Sequence, residues 1–382
     1  MNQKELSEIR RRIKPDKNSI LKIYGCYVNA NKDIISNFDT SLGLMGEEEQ
    51  EMYLKIIKKA ISGTLGKNLL DIEFTTQQVE EGEEHRLLMK LKSASLNDED
   101  ARNELYNRII SCVDFEESNY LILLAADNYD VTYKGSDDEC EIDLGAGETH
   151  SYFICAICPV KASALQLKYN VENGKFNSMA TGQIAASPEL GFMFPAFDDR
   201  SSNIYNALYY TRKPAEVYQG FVDSIFAAKP VMSAPKQKYT FAYAMSESLE
   251  NECSMDVVQA VHEELCIRVE EHKALKIEEP LEITPEDIGY ILKENGLEEE
   301  KVEAFSSEVK KYFGEDASLN PNNLVDVRKF SVETPEVKIS VAAENRHLIE
   351  TRVIDGRKYI LIAADDGVEV NGIPVSIGET EK

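Results

Sequence analysis

Positive charge is what this chain has least of. Its 42 lysines and arginines stand against 68 aspartates and glutamates, a net −26 over 382 residues. Such a surface repels phosphate backbones, so wholesale nucleic-acid binding is disfavoured, although a local basic face is still allowed. No apolar run reaches the ~18 residues that a membrane helix needs, which argues against a membrane partner. The first residues, Met1-Asn-Gln-Lys-Glu-Leu6, are charged at once and carry no apolar signal region, so the expectation is a chain that stays in the cytoplasm. Seven cysteines, at 26, 112, 140, 155, 158, 253 and 266, are odd in number and scattered. That spacing argues against a disulfide framework and reads as reduced thiols, mostly filling a core.

Familiar catalytic motifs are missing too. There is no Gly-x-Ser-x-Gly elbow, and the five histidines are spread without evident Ser or Asp partners. Gly63-Thr-Leu-Gly66-Lys67-Asn68 lacks the first-glycine spacing and the hydroxyl residue of a phosphate loop, and it follows a helix where a strand is required. Gly145-Ala-Gly147 has no third glycine and lies in an acidic loop expected over Asp127–Thr149. Cys155-Ala-Ile-Cys158 lies inside an expected buried strand, where residues three apart face opposite sides, so these thiols are not expected to bond each other. Cys253, His262, Cys266 and His272 are the only Cys/His cluster. His262 and Cys266 share a helical face, but the spacing matches no zinc motif. Asp326, Glu336 and Lys338 fit a metal-dependent nuclease set, in a chain so rich in these residues that chance matches abound.

What is present is segregation. Ser246–Asp316 carries 21 acidic and 7 basic residues, more than half of the whole excess. Ser151–Met245 carries 6 acidic and 9 basic residues and holds 16 of the 32 Phe and Tyr residues. These shifts mark boundaries. The fold class expected is α+β, with mixed or antiparallel sheets and helices in three parts. An α+β body covers 1–235, with its aromatic stretch from Ser151; an acidic helical segment covers 236–320; a small antiparallel β module covers 321–382. In the body, Leu6, Ile9 and Ile13 stripe a first helix whose Arg10, Arg11 and Arg12 form a solvated basic face. Helices over 47–61, 83–93 and 98–113 and strands at 20–29, 33–38, 69–75 and 120–126 follow. Beyond them come strands at 152–160, 165–171 and 176–181, the last two around the hairpin signal Asn173-Gly174. Strands at 191–197 and 205–211 come next, the second open to starting as a helix from Ser201, and then a helix over 215–228. The acidic segment reads as a helix over 254–272, with Val257, Val258, Val261 and Leu265 inward, followed by a helical hairpin. Thr284, Pro285, Glu286 and Asp287 cap the first arm, and Asn295-Gly296 closes it. Val302, Phe305, Val309, Tyr312 and Phe313 stripe the second arm, over 298–313. In the last part, strands run over 325–332 and 337–342, and Asp355-Gly356 and Asn371-Gly372 mark two hairpin turns.

The best local candidate for a site is Phe192-Met-Phe-Pro-Ala-Phe-Asp-Asp-Arg-Ser-Ser-Asn203. Adjacent carboxylates beside a guanidinium, at the end of an apolar segment, suit a ligand or a divalent metal. The candidate set is Asp198, Asp199 and Arg200, with Glu148 and His150 from the neighbouring strand. The bland alternative is a polar turn in which Asp198 caps a helix and Arg200 pairs locally.

Four segments, Lys4-Glu-Leu-Ser-Glu-Ile-Arg10, Ile154-Cys-Ala-Ile-Cys-Pro-Val160, Gly191-Phe-Met-Phe-Pro-Ala-Phe-Asp-Asp-Arg200 and Glu350-Thr-Arg-Val-Ile-Asp-Gly-Arg357, resemble an uncharacterised family of low-GC Gram-positive (clostridial) bacteria, domain of unknown function 4317, over nearly the whole chain. The resemblance implies a cytoplasmic bacterial protein and no particular activity. The function therefore stays open. The first expectation is a binding or assembly protein, with its acidic helical face meeting a basic protein partner or its aromatic-rich surface meeting another copy. The alternative is a divalent-metal-dependent hydrolase or nuclease around Asp198 and Asp199. A third is single-stranded nucleic-acid binding by aromatic stacking. The cofactor stays as open as the function.

Overall fold

A computed structural model describes all residues except 116–117, 132–148, 163–165, 171–173, 180–181, 230, 278, 316, 365–366 and 376–382. Glu148, Cys140 and most of the glycine-bearing acidic loop lie outside the described residues. The chain forms two compact units: Met1–Lys236 with Glu278–Pro280, and Gln237–Ile277 with Leu281–Lys382.

The first unit opens with α1 (Gln3–Arg12), β1 (Lys22–Val28), β2 (Ile34–Ser41), α2 (Glu47–Lys59), β3 (Leu69–Glu73), α3 (Thr76–Glu81), α4 (Glu83–Ser93) and α5 (Glu99–Cys112). It continues with β4 (Tyr120–Asp130), β5 (Thr149–Ala162), β6 (Gln166–Asn170), β7 (Lys175–Met179), β8 (Gln183–Ala185), β9 (Leu190–Phe194), β10 (Ala196–Asp198), β11 (Ser201–Asn203), β12 (Asn206–Thr211) and α6 (Gln219–Phe226). The main sheet has the order β2-β1-β4-β5-β9-β12-β3, with β8 on the end of β5. Its neighbours run antiparallel.

Alternation along these strands feeds two cores, one on each face. Ile122, Leu124, Phe153, Cys155, Phe192, Phe194 and Tyr209 meet α4, α5 and α6. Leu123, Ile154, Ala156, Cys158, Met193 and Leu208 meet α1 and α2. Strand pleating thus separates Cys155 from Cys158, one in each core, as their spacing requires. Gly191 is needed where the end of α2 crosses β9: a Cβ there would lie 2.7 Å from the Cys155 carbonyl oxygen and 2.8 Å from the Ala60 Cβ.

Three expectations for this unit change. The aromatic stretch is only partly a surface: Tyr169, Phe176 and Tyr205 are exposed, but most of its rings in this unit point inward. Tyr152, Phe153, Phe192, Phe194, Phe197 and Tyr209 are fully buried, so these rings offer bases nothing to stack on. Arg10 and Arg12 are not a solvated face. The Arg10 Nε donates to the Ile61 carbonyl (2.9 Å), and an Arg12 Nη donates to the Asn128 carbonyl (3.0 Å). Residues 127–130 belong to β4, paired with 149–152 of β5, where a loop was expected. Residues 201–203 and 206–211 are strands on either side of a turn at 204–205, the extended reading rather than the helical one, because Ala207, Leu208, Tyr209 and Tyr210 alternate between the two cores, which helical periodicity would not allow.

The second unit contains α7 (Ala234–Leu249, entered from the first), α8 (Met255–Ala274), α9 (Pro285–Glu294), α10 (Glu299–Phe313) and α11 (Pro321–Leu324). Three hairpins follow: β13 (Lys329–Glu333) with β14 (Lys338–Ala342), β15 (Ile349–Ile354) with β16 (Arg357–Ile362), and β17 (Val368–Val370) with β18 (Ile373–Val375). The turn residues Asp355, Gly356, Asn371 and Gly372 all have positive φ, as two-residue hairpin turns demand. Val258 and Tyr312 face outward rather than inward, at 40% and 37% exposure. Residues 321–324 are a helical turn, so the strand expected from Val325 starts only at Lys329; Pro321 suits a helix start and Asn320 caps it. The acidic helices and the first hairpins meet along α8. Gln259 donates to the carbonyls of Arg346 (3.1 Å) and Ile349 (3.0 Å), Arg346 pairs with Glu263, and the His262 ring meets Phe330 edge-on at 5.2 Å.

Candidate functional site

The Asp198 segment is built from a hairpin and a helix start. β10 and β11 pair Asp198 with Ser201, leaving Asp199 and Arg200 as a two-residue turn at φ 48° and 59°. This is the turn geometry that Asn-Gly adopts most easily, so two non-glycine residues here store of order 1–3 kcal/mol each. Helix α1 offsets the strain. Asn2 caps it by accepting from the amides of Lys4 and Glu5, and the Glu5 carboxylate accepts from the Asn2 amide. Glu5 and Glu8, one turn apart, then reach the hairpin. The Arg200 amide donates to Glu5 (3.3 Å), and its guanidinium grips Glu8 with both Nη atoms (2.9 and 3.3 Å).

Asp198 caps no helix. Its carboxylate accepts from the Asn203 Nδ2 (2.8 Å) and sits against the amino group of Met1. Burial works to lower the pKa of that amine, but the carboxylates of Asp71, Asp198 and Glu5 outweigh it and hold the amine above its ordinary range. Asp199 is exposed. His150 has no exposed surface. It lies between Tyr152 (ring centroids 4.8 Å apart, 15°) and Phe197 (4.8 Å), with its Nδ1 2.6 Å from the Ser202 hydroxyl. Burial, helped by Lys92 and Arg12 and opposed by Asp198, pushes its pKa down to about 3, so the ring is neutral at physiological pH.

The fold therefore brings Asp198, Arg200 and His150 to one hairpin and meets them with an amine, an amide, a hydroxyl and carboxylates of α1. Among the described residues, no group of three or more His, Cys, Asp or Glu side chains is placed to hold a metal ion. Three contributors escaped the sequence. Glu5 and Glu8 carried a faint signal in the Asn2–Glu5 capping spacing. Asp127 carried only its place at the end of an apolar run. It is buried at 2% exposure, accepting from the Tyr152 hydroxyl (2.8 Å) and the Ser19 amide (2.7 Å), with Arg12 at 3.7 Å.

The second unit carries its polar chemistry on the outside. Tyr243 on α7 and Tyr312 on α10 meet edge to face at 5.9 Å and 80°, at 39% and 37% exposure. Tyr239, one turn before Tyr243, is 72% exposed. Glu247 lies one turn after Tyr243, and Glu308 one turn before Tyr312. Glu247 first, then Tyr312, raise the pKa of the Tyr243 phenol. A cation already uses this patch: the Lys311 ammonium lies 4.9 Å from the centre of the Tyr312 ring and 2.9 Å from a Glu308 oxygen. On α8, His262 Nδ1 lies 3.6 Å from the Cys266 Sγ while Nε2–H donates to the Asp326 carbonyl (3.1 Å), so the shared helical face does bring that pair together. Of the Asp326, Glu336 and Lys338 set, Lys338 pairs with Glu333 instead, and the Asp326 carboxylate accepts from the Arg328 amide (3.0 Å).

Fold and sites together define an α+β protein with a twin-faced antiparallel sheet unit and an acidic helical unit bearing hairpins. Residues 1–373 match the family described as domain of unknown function DUF4317, and the chain belongs to that family. No curated protein matches it. Among the described residues, no helix is long and apolar enough to cross a membrane.

Proposed function

We propose that this is a binding protein whose second unit receives an arginine- or lysine-rich segment of a partner protein. One observation carries the reading: the exposed Tyr243–Tyr312 pair flanked by Glu247 and Glu308, with Lys311 already seated on it. Ring faces attract guanidinium and ammonium groups, and adjacent carboxylates add charge-assisted hydrogen bonds. The surrounding stretch, 21 acidic to 7 basic residues, would steer a basic segment in and repel a second copy of the same face. A cytoplasmic setting belongs to the reading, supported by the free thiols of all six described cysteines.

The test is titration of the full-length protein with a labelled nona-arginine peptide at rising salt, beside Tyr243→Ala/Tyr312→Ala. The expected result is salt-sensitive binding that the double variant weakens about tenfold at unchanged net charge. No binding at low salt, or equal binding by the variant, overturns the reading.

A further inference from the structure

The second unit also encloses a cleft of about 580 Å³ between α7, α8 and the β13–β14 hairpin. That is within the roughly 300–1,000 Å³ of small-molecule sites. Its floor is apolar: Phe241, Met245, Val261 and Phe330 line it and are each only 3–5% exposed. Its mouth carries Lys238 and Lys329, both exposed. Of the other charges on the lining, Lys338 pairs with Glu333, and the Asp326 carboxylate keeps its charge while accepting from the Arg328 amide. Two ammonium groups thus stand over an apolar floor beside the most acidic stretch of the chain.

The walls are fixed before anything enters. His262 ties α8 to the Asp326 carbonyl and backs onto Phe330. The Asn323 Nδ2 donates to the Gln237 Oε1 (3.0 Å), tying α11 to α7. A preformed cleft loses little entropy on binding. Because α7 advances about 100° per residue, Lys238, Phe241, Ala242 and Met245 on the cleft side lie nearly opposite Tyr239, Tyr243 and Glu247. The cleft and the tyrosine patch are separate surfaces of one helix.

We infer that this cleft binds an amphipathic small molecule, an apolar organic acid whose body fills the floor and whose anionic group meets Lys238 and Lys329. The sequence offered no sign of it, because its floor comes from segments up to ninety residues apart.

The experiment uses full-length protein and the dye 1-anilinonaphthalene-8-sulfonate, displaced by decanoate or by the uncharged decanol. Decanoate is expected to displace the dye at about tenfold lower concentration than decanol. Lys238→Gln/Lys329→Gln should erase that preference while leaving decanol unchanged. Ala242→Phe, at an exposed lining position where a larger side chain leaves the buried core untouched, should weaken all three compounds. Displacement by decanol as readily as by decanoate, or dye binding indifferent to Ala242→Phe, overturns the inference. Neither result bears on the arginine-peptide titration, which reads the opposite face of α7.

Discussion

The two units place many of their tyrosines and acids differently. In the first, most aromatics go inward: Phe192 meets Phe153, Phe221 and Phe226 at 5.2–6.2 Å, sealed under the helices. Its acids are used locally as well. Glu8 grips Arg200, Asp127 accepts from Tyr152, and Asp198 meets Asn203 and the Met1 amine. In the second unit, Tyr239, Tyr243, Tyr290 and Tyr312 look outward. Arg268, Lys293, Lys301, Lys310 and Lys311 all hold ion pairs within their own stretch, yet these engage few of its 21 acids. A polar group spent on holding the fold has little left for a ligand; one facing solvent in a strong field does. The contrast teaches that the Asp198 hairpin uses its polar groups on contacts within the first unit, while many carboxylates of the acidic stretch face solvent, where the proposed partner would be received.

The contrast breaks most severely if the aromatic core of the first unit is opened. Phe192→Ala removes a fully buried ring and should cost about 3–5 kcal/mol. Hydrogen exchange should then accelerate in β5, β9 and β12 while α8, α9 and α10 keep their protection. Uniform acceleration through both units would show that they are one cooperative body. Acid gives a smaller and graded effect. His150 is neutral when folded, with a pKa near 3, and ordinary, near 6.5, when unfolded. Below about pH 6.5 the unfolded chain takes up a proton that the folded one refuses. Stability is therefore whole above that pH and falls by up to about 1.4 kcal/mol per pH unit towards pH 3. His150→Phe should flatten this slope when protection of β5 is followed from pH 7 to pH 4. A variant that keeps the wild-type slope would take the effect away from His150.

Legibility follows the same divide. Buried strands announce themselves, because a strand covered on both faces must be a continuous apolar run, as Tyr120–Ala126 and Tyr152–Cys158 are. Hairpin turns needing positive φ are written in Asp355-Gly356 and Asn371-Gly372. Helix α7 falls within the helical segment expected over 236–320 but is not legible as an element of its own: Phe241, Ala244, Met245 and Ser248 repeat at helical spacing, but Pro235 and a run of Tyr, Thr and Phe disguise it. That disguise hid both the tyrosine patch and the cleft. The Asp198 segment is legible as a cluster, but the groups that hold it are not, because Glu5, Glu8 and the Met1 amine reach it from nearly two hundred residues away. Burial of Asp127 and His150 was invisible for the same reason. A strand's polar residue reads as an edge until the partner strand and covering helix are known.

The mildest change sharpens the comparison from the other side. Helix α9 starts with a reciprocal cap in which Thr284 and Asp287 each accept from the other's amide (2.8 and 3.2 Å), and Asp287 also pairs with Arg268 at 3.2 Å. Burial works to raise the Asp287 pKa, but the Thr284 hydrogen bonds and the Arg268 guanidinium outweigh it and hold the carboxyl below its ordinary range. Thr284→Ala deletes the hydroxyl and should cost about 1 kcal/mol. The loss should be confined to α9 and α10 in hydrogen exchange, and it should leave the His150 window untouched. Because a depressed carboxyl stabilises above its unfolded pKa and stops doing so as pH falls through its folded one, the cap's contribution should persist at pH 5 and fade only below the ordinary carboxyl range of about 4. In the wild type, acid would then loosen the sheet unit around His150 at a pH where the α9 cap still holds. A variant whose deficit is already gone at pH 5 would mean that Asp287 is not the charged partner on which this helix start depends.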